Sequence, residues 1–186
     1  MYNLIFLGAP GSGKGTQAKI FAENNNLIHI STGELLRSEI ASGSQFGKEL
    51  KVIVDSGALV SDEIVIKLVD KKLDEAKQKN GYILDGFPRN IAQGKALDEL
   101  FVKKGSVLTA AVMFDISTEN LLSRLAGRKE GRPDDAPEVQ KNRLKIYEET
   151  TAPLIDFYKK QGALVTIDSN HSIEQVQANL VAALKK

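Results

Sequence analysis

Gly8-Ala9-Pro10-Gly11-Ser12-Gly13-Lys14-Gly15-Thr16 is the stretch of this chain best suited to chemistry. The apolar run Leu4-Ile5-Phe6-Leu7 before it reads as a buried strand, and the segment after it has helical period. Glycines at 8, 11, 13 and 15 let main-chain amides approach an anion closely. The helix start adds unpaired N–H groups and the positive end of its dipole. Such a loop holds phosphate, with Lys14 as a mobile charge for the outer phosphates. The pattern G-x-x-x-x-G-K-[ST] is met through Lys14, but Gly15 stands where Ser or Thr is usual. The hydroxyl that can ligand Mg²⁺ therefore comes one residue late, from Thr16.

A second constellation lies further on. Tyr82-Ile83-Leu84-Asp85 is an apolar strand ending in a carboxylate. Parallel strands bring their C-terminal ends to one crevice, where such an acid orients Mg²⁺ or its waters. Asp85 is thus a metal candidate beside Thr16, acting through water. Gly86-Phe87-Pro88-Arg89 then reads as a rigid turn that throws Arg89 over the crevice.

Arginine is scarce: of 25 basic residues only six are arginine, at 37, 89, 124, 128, 132 and 143. Either composition bias explains this, or the planar guanidinium is reserved for bidentate phosphate contact. Arg124 and Arg128 are spaced to share one helix face. The run from Gly127 to Pro137, which holds Arg128 and Arg132, has no apolar anchor and reads as a mobile flap.

The elements that must position these groups follow from periodicity. Leu27-Ile28-His29-Ile30 is a short strand, with His29 expected to be packed or at a rim. Ser31-Thr32-Gly33-Glu34 is a capping box opening a helix that carries Arg37. After Gly43-Ser44 an amphipathic helix runs through Leu50, Val52 and Ile53, and Gly57-Ala58-Leu59-Val60 turns into Ser61-Asp62-Glu63, the start of a long helix to about Lys79. Residues 106–116 read as a fourth, apolar strand followed by a helix capped by Ser117. Pro137 opens a long helix bearing Arg143, with a kink expected at Pro153. Leu164-Val165-Thr166-Ile167-Asp168 is the fifth strand, and Ser172 caps the last helix. Strands alternating with helices predict an α/β domain with a parallel sheet.

At 186 residues the chain is one domain. A net charge of +1 gives no extended nucleic-acid face, and the absence of cysteine leaves no disulfide framework, thiolate nucleophile or cysteine zinc site. No apolar run spans a bilayer, and the first residues form a core strand rather than a leader, so a cytoplasmic location is expected.

Three further motifs make the pattern specific: Ser31-Thr32-Gly33-Glu34-Leu35-Leu36-Arg37, Asp85-Gly86-Phe87-Pro88-Arg89, and Gly131-Arg132-x-Asp134-Asp135 followed by Arg143-Leu144. With the displaced hydroxyl of the phosphate loop, they resemble the adenylate kinases and their relatives, in family order and over essentially the whole chain. The resemblance implies the P-loop fold, a five-stranded parallel sheet of order 2-3-1-4-5. It also implies a nucleoside-monophosphate lobe at 31–60, a short lid at 127–137, and transfer from Mg·ATP to AMP giving two ADP.

By the same resemblance Gly11 to Thr16 bind ATP, with Arg128 and the main chain at His171. Thr32, Arg37, Ala58, Leu59, Val60, Gly86, Phe87, Pro88, Arg89, Gln93, Arg132 and Arg143 bind AMP. Lys14, Asp85, Arg89, Arg124, Arg128, Arg132 and Arg143 form the catalytic group. Mg²⁺ is the implied cofactor. Zinc is not expected, since the lid is short and lacks cysteine. A monomer without nucleic-acid or membrane partners is the family expectation. The alternatives are a UMP/CMP kinase and a nucleotide-binding switch without phosphoryl transfer.

Overall fold

The computed structural model describes residues 2–75, 79–127 and 136–185. Five parallel strands, β1 (Tyr2–Leu7), β2 (Ile28–Ser31), β3 (Gly81–Asp85), β4 (Ala110–Asp115) and β5 (Leu164–Asp168), form one sheet in the order β2-β3-β1-β4-β5. This is the order that the family resemblance implied.

The central strand alternates between two cores, as a strand covered on both faces must. Leu4 and Phe6 pack with Ala18, Phe21 and Ala22 of α1 (Lys14–Asn25) and with Val176 and Leu180 of α9 (Ile173–Leu184). Ile5 and Leu7 belong to the opposite core. That core takes Leu36 from α2 (Thr32–Ala41), Leu50 from α3 (Gln45–Asp55), Val65 and Val69 from α4 (Asp62–Glu75) and Leu97 from α5 (Ile91–Lys104). Leu154 and Tyr158 come to it from α8 (Pro153–Lys160). Between β4 and β5 also lie α6 (Thr118–Ala126) and α7 (Pro137–Ile146).

The register aims the site. Phe6 of β1 and Ser31 of β2 both pair with Asp85, so the C-terminal end of β3 lies between the phosphate loop and the start of α2.

Three local expectations change. The fourth strand covers only Ala110–Asp115, not 106–116. Val107 is 78 % exposed, and the lead-in is held by Asn3, whose Nδ2 donates to the Val107 carbonyl at 2.9 Å. Val52 is exposed rather than on the apolar side of α3. The long helix expected from Pro137 is split: between α7 and α8 the coil widens into a π-turn at Tyr147–Thr151, where the Ala152 N–H reaches the Tyr147 carbonyl at 2.8 Å. Pro153 has no N–H and its ring crowds the preceding turn, so the expected distortion takes this form rather than a simple bend. The helix predicted to reach Lys79 is described as far as Glu75.

Candidate active site

The loop after β1 has the strained geometry that its glycines permit. Gly8, Gly11 and Gly13 have φ of 149°, 93° and 89°, and Gly13 is the left-handed residue from which α1 starts. The first amides of that helix open onto a large cleft lined by residues 10–17 and by Asp85, Arg89, Arg124, Arg143 and His171. Lys14 and Thr16 thus share one cavity with Asp85.

Gly15 explains the displaced hydroxyl. A Cβ there would sit 3.1 Å from Asp85 Oδ2, and Asp85 is buried and held, so it has little room to retreat. The loop gives up a side chain at 15 to admit the carboxylate. Restoring the usual hydroxyl by Gly15→Ser is expected to cost about 1 kcal/mol or more of stability and about tenfold in kcat/KM. Thermal unfolding and steady-state rates check this; an equally stable, equally active variant would mean that Asp85 yields.

Burial pushes the Asp85 carboxyl up, but the hydrogen bond from His29 and the charges of Lys14 and Arg89 outweigh it and hold the group below its ordinary value. His29 Nε2 lies 3.4 Å from Asp85 Oδ2. With the folded value below the unfolded one, the ionised form contributes stability above the unfolded value and loses it as pH falls through the folded value. Relative to Asp85→Asn, the wild type is therefore expected to lose stability as pH drops below about 4, a trend that thermal unfolding of both proteins measures.

The turn after β3 is tied to the helix opposite. Thr32 Oγ1 donates to the Gly86 carbonyl at 2.8 Å, Arg89 Nε donates to the same carbonyl at 2.8 Å, and Thr151 Oγ1 donates to the Arg89 carbonyl at 2.7 Å. The peptide between Phe87 and Pro88 is cis. A Cβ on Gly86 would meet Thr32 Oγ1 at 2.8 Å, so this position too requires glycine. The π-turn is what brings Thr151 to Arg89.

A second, small cavity also has Arg89 in its wall. It is lined by Thr32, Arg37, Ala58, Leu59, Val60, Gly86, Gln93 and Arg143. A third space joins Lys14 and Pro10 to Pro88, Arg89 and Arg143. Arg89 and Arg143 line all three spaces.

Most site residues expected from the sequence are therefore brought together. The Phe87 side chain is instead 1 % exposed in the core, which leaves only its main chain to face a ligand. Arg124 is engaged by protein: its guanidinium donates to the carbonyls of Ser12 at 3.2 Å, Ser169 at 2.6 Å and His171 at 3.2 Å. It ties the phosphate loop to the segment after β5. His171 is half exposed, with Nε2 3.1 Å from Asp168 Oδ2. Arg128, Arg132, Asp134 and Asp135, with most of the expected lid, lie outside the described residues.

Sequence reasoning missed two partners. His29 touches Asp85 because β2 pairs with β3, which strand period alone does not reveal. Asp62, read only as a helix start, holds Gln93. An acid with a side-chain amide in the neighbouring helix start was the available signal, but their pairing depends on packing.

Could the residues accept Mg²⁺? Among the described residues no group of three or more His, Cys, Asp or Glu could hold a metal by itself. One hydroxyl and one carboxylate on a phosphate-binding cavity fit an ion that brings its other ligands as phosphate and water.

A parallel sheet with a glycine loop at the end of its central strand and cations shared between two cavities defines a P-loop nucleotide-binding phosphotransferase. A model of the adenylate kinase family matches residues 6–163. Curated proteins called adenylate kinase are similar along nearly the whole chain. The one from Stenotrophomonas maltophilia (strain R551-3) is 46 % identical over 184 residues, 98 % of each chain. Those from Xanthomonas campestris pv. campestris (strain B100) and Prochlorococcus marinus (strain MIT 9211) are each 46 % identical, over 183 and 181 residues. Alignment covers 97 % of this chain in both cases, and 98 % and 96 % of theirs. The chain belongs to the adenylate kinase family. Among the described residues no helix is long and apolar enough to cross a membrane.

Proposed function

We propose that the chain transfers the γ-phosphoryl of ATP to AMP, giving two ADP, with ATP phosphates on the loop at Gly11 to Thr16 and AMP in the cavity of Thr32 and Gln93. The observation that carries this reading is that Arg89 and Arg143 line the cavity over the phosphate loop, the second cavity and the space between them. A switch that only binds nucleotide has no use for cations facing a second phosphate.

Little covalent work falls to the protein. Lys14, Arg89 and Arg143 place donor and acceptor phosphates in line and offset charge that spreads over the γ-phosphoryl oxygens. Arg37 adds charge for the acceptor phosphate. Thr16 and, through water, Asp85 would hold Mg²⁺, which when bound neutralises charge on the β- and γ-phosphate oxygens. Adenylate kinases use Mg²⁺ with ATP. Residues 127–137, with Arg128 and Arg132, serve as a lid over ATP in this reading, so that water, a competing acceptor, is excluded when the arginines assemble. Residues 31–60 form the acceptor lobe.

The test is ADP formation from ATP with AMP, CMP and UMP as acceptors, with and without Mg²⁺. Turnover with AMP, abolished by EDTA and unaffected by a zinc-selective chelator, is expected. Nucleotide binding without ADP formation would favour the switch, and preference for CMP or UMP the pyrimidine enzyme.

A further inference from the structure

Gln93 is 2 % exposed in the wall of the second cavity, and both ends of its carboxamide are held. Oε1 accepts the Arg89 main-chain N–H at 2.7 Å, and Nε2 donates to Asp62 Oδ1 at 2.6 Å. A main-chain N–H only donates and a carboxylate only accepts, so these neighbours permit one orientation of the amide and forbid its reverse. Asn90 braces the acid: its Nδ2 lies 3.0 Å from Asp62 Oδ1 and 3.3 Å from Oδ2. Its own Oδ1 accepts the Gln93 N–H at 2.8 Å as the cap of α5. Asp62, first residue of α4, thus reaches the first turn of another helix to hold a side chain in the cavity wall.

Each end of the carboxamide keeps one further hydrogen-bonding position, a second N–H on Nε2 and a second lone pair on Oε1. We infer that Asp62 is a specificity-determining residue for the acceptor base, holding Gln93 in the one orientation that reads a 6-aminopurine and rejects a 6-oxopurine. The inference rests on the proposed placement of the acceptor base against Gln93. Adenine presents an amine donor at C6 beside an acceptor at N1, whereas hypoxanthine presents a carbonyl at C6 beside a donor at N1. A carboxamide able to turn over would serve either base. Held by Asp62, it meets hypoxanthine with oxygen against oxygen and N–H against N–H, leaving buried polar groups unpaired. Asp62 acts through Gln93, as a positioning residue.

AMP and IMP, which differ only at these two positions, are the probes, and the readout is the ratio of their kcat/KM values. The wild type is expected to favour AMP by about a hundredfold or more. Asp62→Ala should lower that ratio about tenfold, since the Arg89 N–H still biases the amide, and chiefly by lowering the KM for IMP. Asp62→Asn, whose carbonyl oxygen can replace Oδ1, should keep most of the preference. The KM for ATP should stay unchanged in both. Gln93→Ala should bring the ratio near one.

An Asp62→Ala enzyme that loses AMP and IMP activity in equal measure would overturn the inference and leave Asp62 a purely structural contact. A ratio unchanged in Gln93→Ala would instead remove the base from Gln93, so the acceptor reading and the inference fall together. Should Asp62→Ala not fold, the wild type without nucleotide still decides. One side-chain NH₂ proton of Gln93 should be displaced downfield in a ¹⁵N–¹H spectrum by the Asp62 contact, and a pair at free-glutamine shifts would sink the inference.

Discussion

Arg89→Lys is expected to lower kcat by about a hundredfold or more with little change in the unfolding midpoint, because lysine keeps the charge but not the planar fork. Arg89 is placed at both ends of its main chain, its N–H held by Gln93 and its carbonyl by Thr151, and its side-chain Nε donates to the Gly86 carbonyl. Such a residue is aimed before any ligand arrives, so in the lysine variant the two main-chain contacts survive, while the guanidinium fork and its Nε bond to the Gly86 carbonyl are lost. Steady-state ADP formation beside thermal unfolding checks this. Wild-type turnover in the lysine variant would remove Arg89 from the reacting phosphates.

Lys14→Met should have a comparable or larger effect, a loss of about 10³ in kcat/KM, because it removes a cation at the phosphate loop. Lys14 Nζ reaches the Ala9 carbonyl at 3.3 Å, so the loop already holds it over the cradle. A second consequence follows from the same charge. Lys14 is one of the groups that hold Asp85 below its ordinary value, so its removal moves the Asp85 carboxyl up, narrows the gap to the unfolded value and makes stability less sensitive to acid. Rate measurements and unfolding at several pH values test both parts; an active Lys14→Met enzyme would defeat the first.

Local order along the chain was legible because it depends on neighbours in sequence. The apolar run Leu4 to Leu7, the glycines and Lys14 that follow, the Ser31 and Ser172 caps and the apolar strand ending at Asp85 all act within a few residues. Motif order carried the rest of the legible site, since Thr32, Arg37, Arg89, Gln93 and Arg143 do line one cavity.

What the tertiary structure decided are pairings between elements distant in sequence. His29 looked like a packed strand residue until β2 was laid against β3, which put its ring on Asp85. Gly15 looked like a departure from a motif until the carboxylate from β3 was found where its Cβ would be. Pro153 announced a distortion but not its kind, and only the packed helix pair turned it into a π-turn that delivers Thr151 to Arg89. Asp62 and Gln93 stand 31 positions apart, and their hydrogen bond exists because α4 and α5 pack side by side in the core beneath them. Helix caps and strand periods are short-range effects that the chain carries residue by residue. The orientation of an amide or the ionisation of a buried acid is set by whichever groups the packed elements bring within about 3 Å, and that is a property of the fold.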